Sequence, residues 1–210
     1  MNILILGAGN MGSALARQFT KAGHAVRIAA TTLEKATSVA AGIPGATAVD
    51  AAGSAAASDA IVVATPYEQA ATALRAAGPL AGKIVIDITN PLTPDYMGLT
   101  IGHDTSAAEE IAKAVPDAEV AKAFNTLFAQ VLTDGPAFAD GKTATAFYAG
   151  DSERAKSTAQ ALIESIGFTA VDAGPLKNAR YLEPLAGLNI WFGYGAGQGT
   201  AIAPTWISRG

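Results

Sequence analysis

Three glycines near the N-terminus have the spacing G-x-G-x-x-G, which can hold a pyrophosphate. They occur in the segment Gly7-Ala8-Gly9-Asn10-Met11-Gly12. In this motif the first glycine permits a tight turn, the second lets the backbone approach the phosphates, and the third lets a helix pack closely on a strand. A helix that begins there also offers free N–H groups and the positive end of its dipole.

The segments on both sides of the glycines have the patterns that this reading requires. Residues 2–6 predict a strand because residues 3–6 are continuously apolar, and the amphipathic stretch Ser13–Ala22 predicts a helix. The motif on its own is weak evidence, because an ordinary glycine-rich turn would look the same. Its position between a strand and a helix predicts dinucleotide binding.

The end of the second predicted strand, after residues 24–30, should meet the adenosine ribose. An acidic residue there would bind the 2′-hydroxyl of NAD, but this chain has Thr31 and Thr32, with Lys35 one turn further on. Two hydroxyls, a helix N-terminus and a lysine suit the 2′-phosphate of NADP(H). The residues therefore favour NADP over NAD, although both threonines could also be simple helix caps.

Polar residues follow two further strands. Ala60–Ala64 is followed by Thr65, Pro66 and Tyr67, and the strand at residues 83–88 is followed by Asn90. Ligands of parallel sheets bind beyond the carboxyl ends of the strands, so these residues are candidates for the pyrophosphate or nicotinamide. Pro66 could instead only stop its strand, and Asn90 could only begin an Asn-Pro turn.

Two more candidates come from the next part of the chain. Asn125 follows the strand predicted at residues 118–124, and His103 lies in residues 92–105, the longest stretch without periodicity. Loops of that length are often functional, so His103 could approach a second substrate, or it could be a solvated loop residue. Ser106 and Glu109 fit a capping box that begins the following helix.

The whole pattern predicts one α/β domain over residues 1–210. Strands alternate with helices to the end, which indicates a doubly wound, mostly parallel Rossmann sheet extended by C-terminal strands and helices. We also expect a brief helix at residues 50–58. The glycine-rich segment 193–199 should not form a stable helix interior.

Composition excludes several kinds of site and partner. The 210 residues carry a formal net charge of −4, which argues against nucleic acid and anionic membranes as partners. There is no cysteine, and two histidines are too few for most metal sites, so we expect no metal. The chain shows neither a long apolar span nor room for a signal peptide, so we expect a cytoplasmic protein. Its apolar, glycine-rich C-terminus makes a homodimer plausible.

Taken together, several motifs resemble the NADP oxidoreductase family. That family includes the deazaflavin (factor 420)-dependent NADP reductases and the cytosolic domain of the six-transmembrane metalloreductases. The resemblance spans nearly the full length and is carried by the glycine motif and by the segments Ala64-Thr65-Pro66-Tyr67, Asp87-Ile88-Thr89-Asn90-Pro91, Lys122-Ala123-Phe124-Asn125-Thr126, Asp172-Ala173-Gly174-Pro175-Leu176 and Ala179-Arg180.

The resemblance implies roles for particular residues. Gly7, Gly9, Asn10, Met11 and Gly12 would hold the pyrophosphate. Thr31, Thr32 and Lys35 would face the 2′-phosphate. The residues implied around the nicotinamide are Thr65, Pro66, Asn90 and Asn125.

The family also implies a reaction. NADP(H) would exchange a hydride with a planar electron acceptor stacked beside it, either the deazaflavin coenzyme or FMN or FAD. Such a step needs alignment rather than a protein nucleophile, which fits a chain without cysteine. The alternative is a non-catalytic NADP(H)-binding sensor or interaction module that a partner protein reads.

Overall fold

The computed structural model describes residues 1–207 and 209, and within them it contains one eight-stranded sheet. The strands are β1 (Asn2–Leu6), β2 (Ala25–Ala29), β3 (Ala46–Ala48), β4 (Ala60–Val63), β5 (Ile84–Asp87), β6 (Glu119–Ala123), β7 (Thr145–Gly150) and β8 (Thr169–Asp172).

The strands lie in the order β3-β2-β1-β4-β5-β6-β7-β8. The first six are all parallel, β7 pairs antiparallel with β6, and β8 pairs parallel with β7. The order of the six parallel strands is that of a dinucleotide-binding sheet. The structure thus confirms the predicted doubly wound sheet with a C-terminal extension.

Seven α-helices cover this sheet in the described part of the chain. They are α1 (Asn10–Lys21), α2 (Leu33–Ala41), α3 (Tyr67–Ala76), α4 (Ala107–Ala114), α5 (Ala129–Asp134), α6 (Glu153–Ser165) and α7 (Ala179–Ile190). Two short 3₁₀ turns, Ala139–Gly141 and Leu176–Asn178, lie between them, and a π-helical turn, Trp191–Gly195, continues α7.

The sheet has a hydrophobic core on each face. Successive residues of a strand point to opposite faces, so Ile3 and Ile5 of β1 pack with Phe19 of α1, whereas Leu4 and Leu6 pack against the α3 side. Burial on both faces requires strands that are apolar throughout. This is why β1, β4 and β5 read as continuous apolar runs.

Two expectations from the sequence were wrong in detail. Helix α1 begins at Asn10 rather than Ser13, so the second half of the glycine motif forms its first turn. Residues 50–58 form successive turns instead of a helix. Gly53 in this segment has a φ of +71°, a left-handed conformation that interrupts helical hydrogen bonding.

The glycine-rich segment after α7 is partly helical, contrary to expectation. Gly193 and Gly195 belong to the π-helical turn, and a Cβ at Gly193 would lie 2.6 Å from the ring of Phe128. The segment leaves helical geometry only after Ala196, where Gly197 and Gly199 have positive φ. Gly193 therefore allows close packing against Phe128 rather than forming a turn.

The turn between β1 and α1 is also packed backbone to backbone. Gly7 has a φ of +118°, and a Cβ there would lie 2.3 Å from the carbonyl oxygen of Ala64. A Cβ at Gly12 would lie 2.1 Å from the carbonyl oxygen of Gly7, whereas one at Gly9 would meet nothing within 4 Å. The fold itself therefore requires two of the three motif glycines.

We predict that Gly12→Ala lowers the free energy of unfolding by about 1–3 kcal/mol, because the added methyl group forces two backbone segments apart. Gly9→Ala is the matched control and should change stability by no more than about 0.5 kcal/mol. Urea unfolding followed by circular dichroism measures both. Equal stability of the two variants would contradict the assigned packing.

Candidate active site

Two neighbouring cavities open at the carboxyl ends of the parallel strands. One, of about 580 Å³, lies beyond β1 and β2, and the other, of about 510 Å³, lies beyond β5 and β6. We call them the β1–β2 cavity and the β5–β6 cavity. They share Gly9, Ala64, Thr65 and Pro66, and so they form one continuous cleft across the centre of the sheet.

The N-terminus of α1 lies where the two cavities join. Gly9 is the N-cap and has no side chain to bind the first N–H groups of the helix. Those groups have no intrahelical partner and attract anions. Asn10 and Met11 line the β5–β6 cavity, and Gly7 lines the β1–β2 cavity, whereas Gly12 is buried behind them and lines neither.

The β1–β2 cavity contains part of the predicted 2′-phosphate set. Thr31 and Lys35 line it, but Thr32 does not. Thr32 is the N-cap of α2, and its hydroxyl accepts a hydrogen bond from the backbone N–H of Lys35 at 3.2 Å. The structure thus separates the three residues into two that line the cavity and one that orders the helix beside them.

Two asparagines join the ends of β5 and β6. The Nδ2 atom of Asn125 donates to Oδ1 of Asn90 at 2.9 Å and to the carbonyl oxygen of Leu182 at 3.0 Å. The Nδ2 atom of Asn90 donates to the carbonyl oxygen of Asn125 at 2.9 Å. These contacts fix both amide orientations, because each nitrogen faces an acceptor.

Four buried polar atoms around the same cavity lack a hydrogen-bond partner among the described residues. They are Oγ1 of Thr65, Oγ1 of Thr89, Oδ1 of Asn125 and Oγ1 of Thr126. Buried polar groups are normally hydrogen-bonded, and a cluster of exceptions calls for an explanation. All four side chains line the β5–β6 cavity, which makes it a site for a ligand with polar groups.

Aromatic side chains form part of the lining of the β5–β6 cavity. Tyr96, from the loop at residues 92–105, and Tyr194, from the π-helical turn, both line it and are mostly exposed. Phe128 contacts Tyr194 edge to face, with ring centroids 5.8 Å apart. Tyr96 has a φ of +62°, which is a strained conformation for a tyrosine. This aromatic lining suits a planar ring system.

A buried ion cluster lies behind the asparagine pair. Nζ of Lys122 is 2.7 Å from Oδ2 of Asp87 and 2.8 Å from Oε1 of Glu183, and all three side chains are at most 1% exposed. Burial alone would lower the pKa of Lys122, but the two carboxylates outweigh it and hold the pKa above its ordinary value. Lys122 is therefore a fixed cation, and it does not line the cleft.

Besides Gly12 and Thr32, two more of the residues predicted for the site lie outside the cleft. Tyr67 is half-buried at the start of α3 and lines neither cavity. Burial, with Glu110 and Glu183 nearby, raises its pKa, so the hydroxyl stays protonated near neutral pH. His103 is exposed in its loop and also lines neither cavity. The predicted Asn125, Asn90, Thr65 and Pro66 do come together.

Some residues of the site were missed because nothing local marks them. Phe128, Asn189 and Tyr194 line the β5–β6 cavity, but Phe128 is the N-cap of α5, and the other two come from α7 and the π-helical turn after it. Glu183 was missed as well, although a glutamate among the apolar residues of a buried helix is a signal. A carboxylate buried on that face needs a cation.

Residues 1–207 and 209 contain no candidate metal site and no candidate membrane-spanning helix. No cluster of three or more histidine, aspartate or glutamate side chains there could hold a metal ion. No helix in that part of the chain has the length and apolar character to cross a membrane.

Comparison with known proteins identifies the family. The model of the family described as NADP oxidoreductase, coenzyme F420-dependent, matches residues 2–91. A crystal structure of a putative F420-dependent NADP-reductase from Arthrobacter sp. FB24 is 31% identical with a TM-score of 0.83, and covers 95% of this chain and 96% of that chain. The chain belongs to this family of NADP-dependent oxidoreductases.

Two further relatives agree with this placement. A hypothetical protein from Sinorhizobium meliloti is 33% identical with a TM-score of 0.75, over 84% of this chain and 86% of that one. The metalloreductase STEAP3 of Rattus norvegicus is 36% identical over 133 residues, which are 62% of this chain but only 26% of that protein. The chain thus spans about a quarter of that metalloreductase.

The site of this family member fits the dinucleotide that the family name specifies. Gly9 leaves open space where a Cβ would project, and the N-terminus of α1 beside it attracts phosphate. The unpartnered Oδ1 atom of Asn125 can accept a hydrogen bond from an amide N–H such as that of a carboxamide.

We predict that Asn125→Asp weakens NADPH binding about 10-fold or more, because a carboxylate would face the acceptors Oδ1 of Asn90 and the carbonyl oxygen of Leu182. Titration calorimetry gives the dissociation constant. The control ligand is 2′,5′-ADP, which lacks the nicotinamide and should bind both proteins equally. A parallel loss for 2′,5′-ADP would contradict a nicotinamide role for Asn125.

Proposed function

We propose that this chain transfers a hydride between NADP(H) and a planar acceptor of the flavin or deazaflavin kind. The nucleotide would lie across the centre of the sheet, with its adenosine end in the β1–β2 cavity and its nicotinamide in the β5–β6 cavity. The acceptor would stack between the nicotinamide and the aromatic wall formed by Tyr96, Phe128 and Tyr194. Similarity to the putative F420-dependent NADP-reductase and to the metalloreductase STEAP3 supports a redox role.

The composition of the β5–β6 cavity is the observation that carries this proposal. Tyr96 and Tyr194 are the only described residues lining it that have ionisable side chains. Reduction of a carbonyl would need a proton donor placed at the substrate oxygen, and in this cavity only the two mostly exposed tyrosine hydroxyls could supply it. A flavin or deazaflavin can take its proton from solvent, so a cavity with unpartnered polar atoms, aromatic rings and no carboxyl or imidazole suits that class of acceptor.

The residues of the chain would act by binding and alignment. When bound, NADPH supplies a hydride from C4 of its nicotinamide, and the acceptor gains two electrons with that hydride and one proton from solvent. The α1 N-terminus would hold the pyrophosphate, and Asn125 would orient the carboxamide. The aromatic wall would exclude water and hold the acceptor within roughly 3–3.5 Å of the reacting carbon, the range that direct transfer needs.

An anaerobic assay of NADPH consumption tests the proposal. The purified chain is mixed with NADPH and, in separate reactions, with a deazaflavin, FMN, FAD or a quinone. We expect consumption with the deazaflavin or a flavin. Tight NADPH binding without turnover of any acceptor would contradict the proposal and favour a non-catalytic sensor or interaction module.

We also propose a preference for NADP over NAD, supported by Thr31 and Lys35 in the β1–β2 cavity. Thr31→Asp should weaken NADP about 10-fold relative to NAD, since the new carboxylate repels the 2′-phosphate; tenfold corresponds to about 1.4 kcal/mol. Dissociation constants for both nucleotides measure the effect. Thr37→Asp adds the same charge elsewhere on α2, where Thr37 is exposed and lines neither cavity, and should leave the ratio unchanged.

A further inference from the structure

The buried ion cluster has no role in the proposed reaction, yet its contacts join β5, β6, α4 and α7 around the β5–β6 cavity. We propose that Lys122, with Asp87 and Glu183, is a positioning group that sets the two walls of the β5–β6 cavity. Lys122 would act through these walls and touch neither nucleotide nor acceptor. The effect on turnover rests on the proposed function, whereas the placement of the walls can be tested without it.

Each hydrogen of the Lys122 ammonium group has one acceptor. The three acceptors are Oδ2 of Asp87 at 2.7 Å, Oε1 of Glu183 at 2.8 Å and the carbonyl oxygen of Thr89 at 2.5 Å. Asp87 and Lys122 are direct neighbours on β5 and β6, and Oδ1 of Asp87 also accepts the backbone N–H of Thr89 at 2.8 Å. The cluster thus fixes the chain immediately before Asn90.

The first wall that the cluster holds is helix α7. Glu183 lies on α7, directly after Leu182, whose carbonyl oxygen accepts the hydrogen bond from Asn125. One and two turns further on, Ala186, Asn189 and Ile190 line the β5–β6 cavity. The ion pair between Lys122 and Glu183 therefore sets how close this face of α7 stands to the asparagine pair.

The second wall is the loop at residues 92–105, which leads into α4. The carboxylate of Glu183 accepts the backbone N–H groups of Ala107 at 2.9 Å and Ala108 at 3.2 Å, at the N-terminus of α4. A carboxylate is favoured at that end of a helix. This contact anchors the C-terminal end of the loop, while Leu92 and Tyr96 within the loop line the cavity.

The end of the cleft at the turns after β1 and β2 is held by different contacts. The described partners of the cluster belong to β5, β6, α4, α7 and the turn after β5. The turn from β1 to α1 is packed instead against the end of β4, and Thr31 and Lys35 belong to the β2–α2 turn. A change in the cluster should therefore alter the β5–β6 cavity, including the asparagine pair, and spare the turns after β1 and β2.

The charge of Glu183 is needed for this arrangement. Both of its carboxylate oxygens face donors: Lys122 and Ala108 on Oε1, and Ala107 on Oε2. A glutamine has one oxygen and one NH₂ group, so in either orientation a donor would face a donor. Glu183→Gln keeps the size of the side chain but cannot keep all three contacts.

The test compares Glu183→Gln with Leu162→Ala. Leu162 is fully buried in the hydrophobic core on α6 and lines neither cavity, so its truncation provides a loss of core stability for comparison. For each variant we would measure thermal stability, hydrogen exchange of the free protein, the dissociation constant of 2′,5′-ADP, and KM and kcat with FMN and 5-deazariboflavin. If Glu183→Gln does not fold, Glu183→Asp, which keeps the charge but shortens the reach, takes its place.

We expect Glu183→Gln to raise hydrogen exchange selectively in residues 92–105 and 182–195, and not in residues 7–12. The dissociation constant of 2′,5′-ADP, which lacks the nicotinamide, should stay within about twofold, because the turns after β1 and β2 are separate from the cluster. The ratio kcat/KM for the acceptors should fall about 10- to 100-fold, because small displacements misalign the reactants. Leu162→Ala should show neither the selective exchange nor a loss of kcat/KM with unchanged binding of 2′,5′-ADP.

Other results would overturn the inference. The cluster would only stabilise the core if hydrogen exchange is unchanged in residues 92–105 and 182–195, or if it rises equally in residues 7–12. Kinetic changes equal to those of Leu162→Ala would lead to the same conclusion. If the unmodified chain turns over neither acceptor, the proposed function fails, but the exchange comparison still decides whether the cluster positions the walls.

Discussion

The cleft depends on a backbone contact between the turn after β1 and the first turn of α1. There is no space for a side chain at Gly7 or Gly12, since a Cβ at either would lie within 2.3 Å of a carbonyl oxygen. This contact places the helix N-terminus over the centre of the sheet, between β1 and β4. Every other part of the site is arranged around that point, including the two cavities that meet at Gly9.

Many residues of the cleft could be predicted from sequence, because they follow the ends of parallel strands. The carboxyl ends of parallel strands meet at one edge of a sheet, so the residues that follow each strand are candidates for one site. Thr31, Thr65, Pro66, Asn90 and Asn125 were all found in this way, and all line the cleft. The apolar runs of these strands showed where each strand ends.

The residues that α7 and the turn after it contribute could not be predicted in the same way. Tyr194 and Glu183 come from a helix and a turn whose placement depends on contacts with distant parts of the chain. Glu183 meets Lys122 across 61 positions of sequence and Ala107 across 76. His103 was predicted because it is a rare residue type in a long loop, but residue type alone does not determine where a loop directs its side chains. The short turns at residues 50–58 were missed because alanine-rich composition outweighed Gly53.

The antiparallel pairing of β7 with β6 affects how α7 can move relative to the parallel strands. Because β7 and β8 run opposite to β6 at their junction, the site edge of the sheet stops at β6, and α7 completes the cleft in place of another strand. A helix attached by side-chain contacts can open with a smaller free energy than a strand within a sheet ladder. Motion of the chain is therefore expected to be greater at α7 than at the turns that follow β1 and β2.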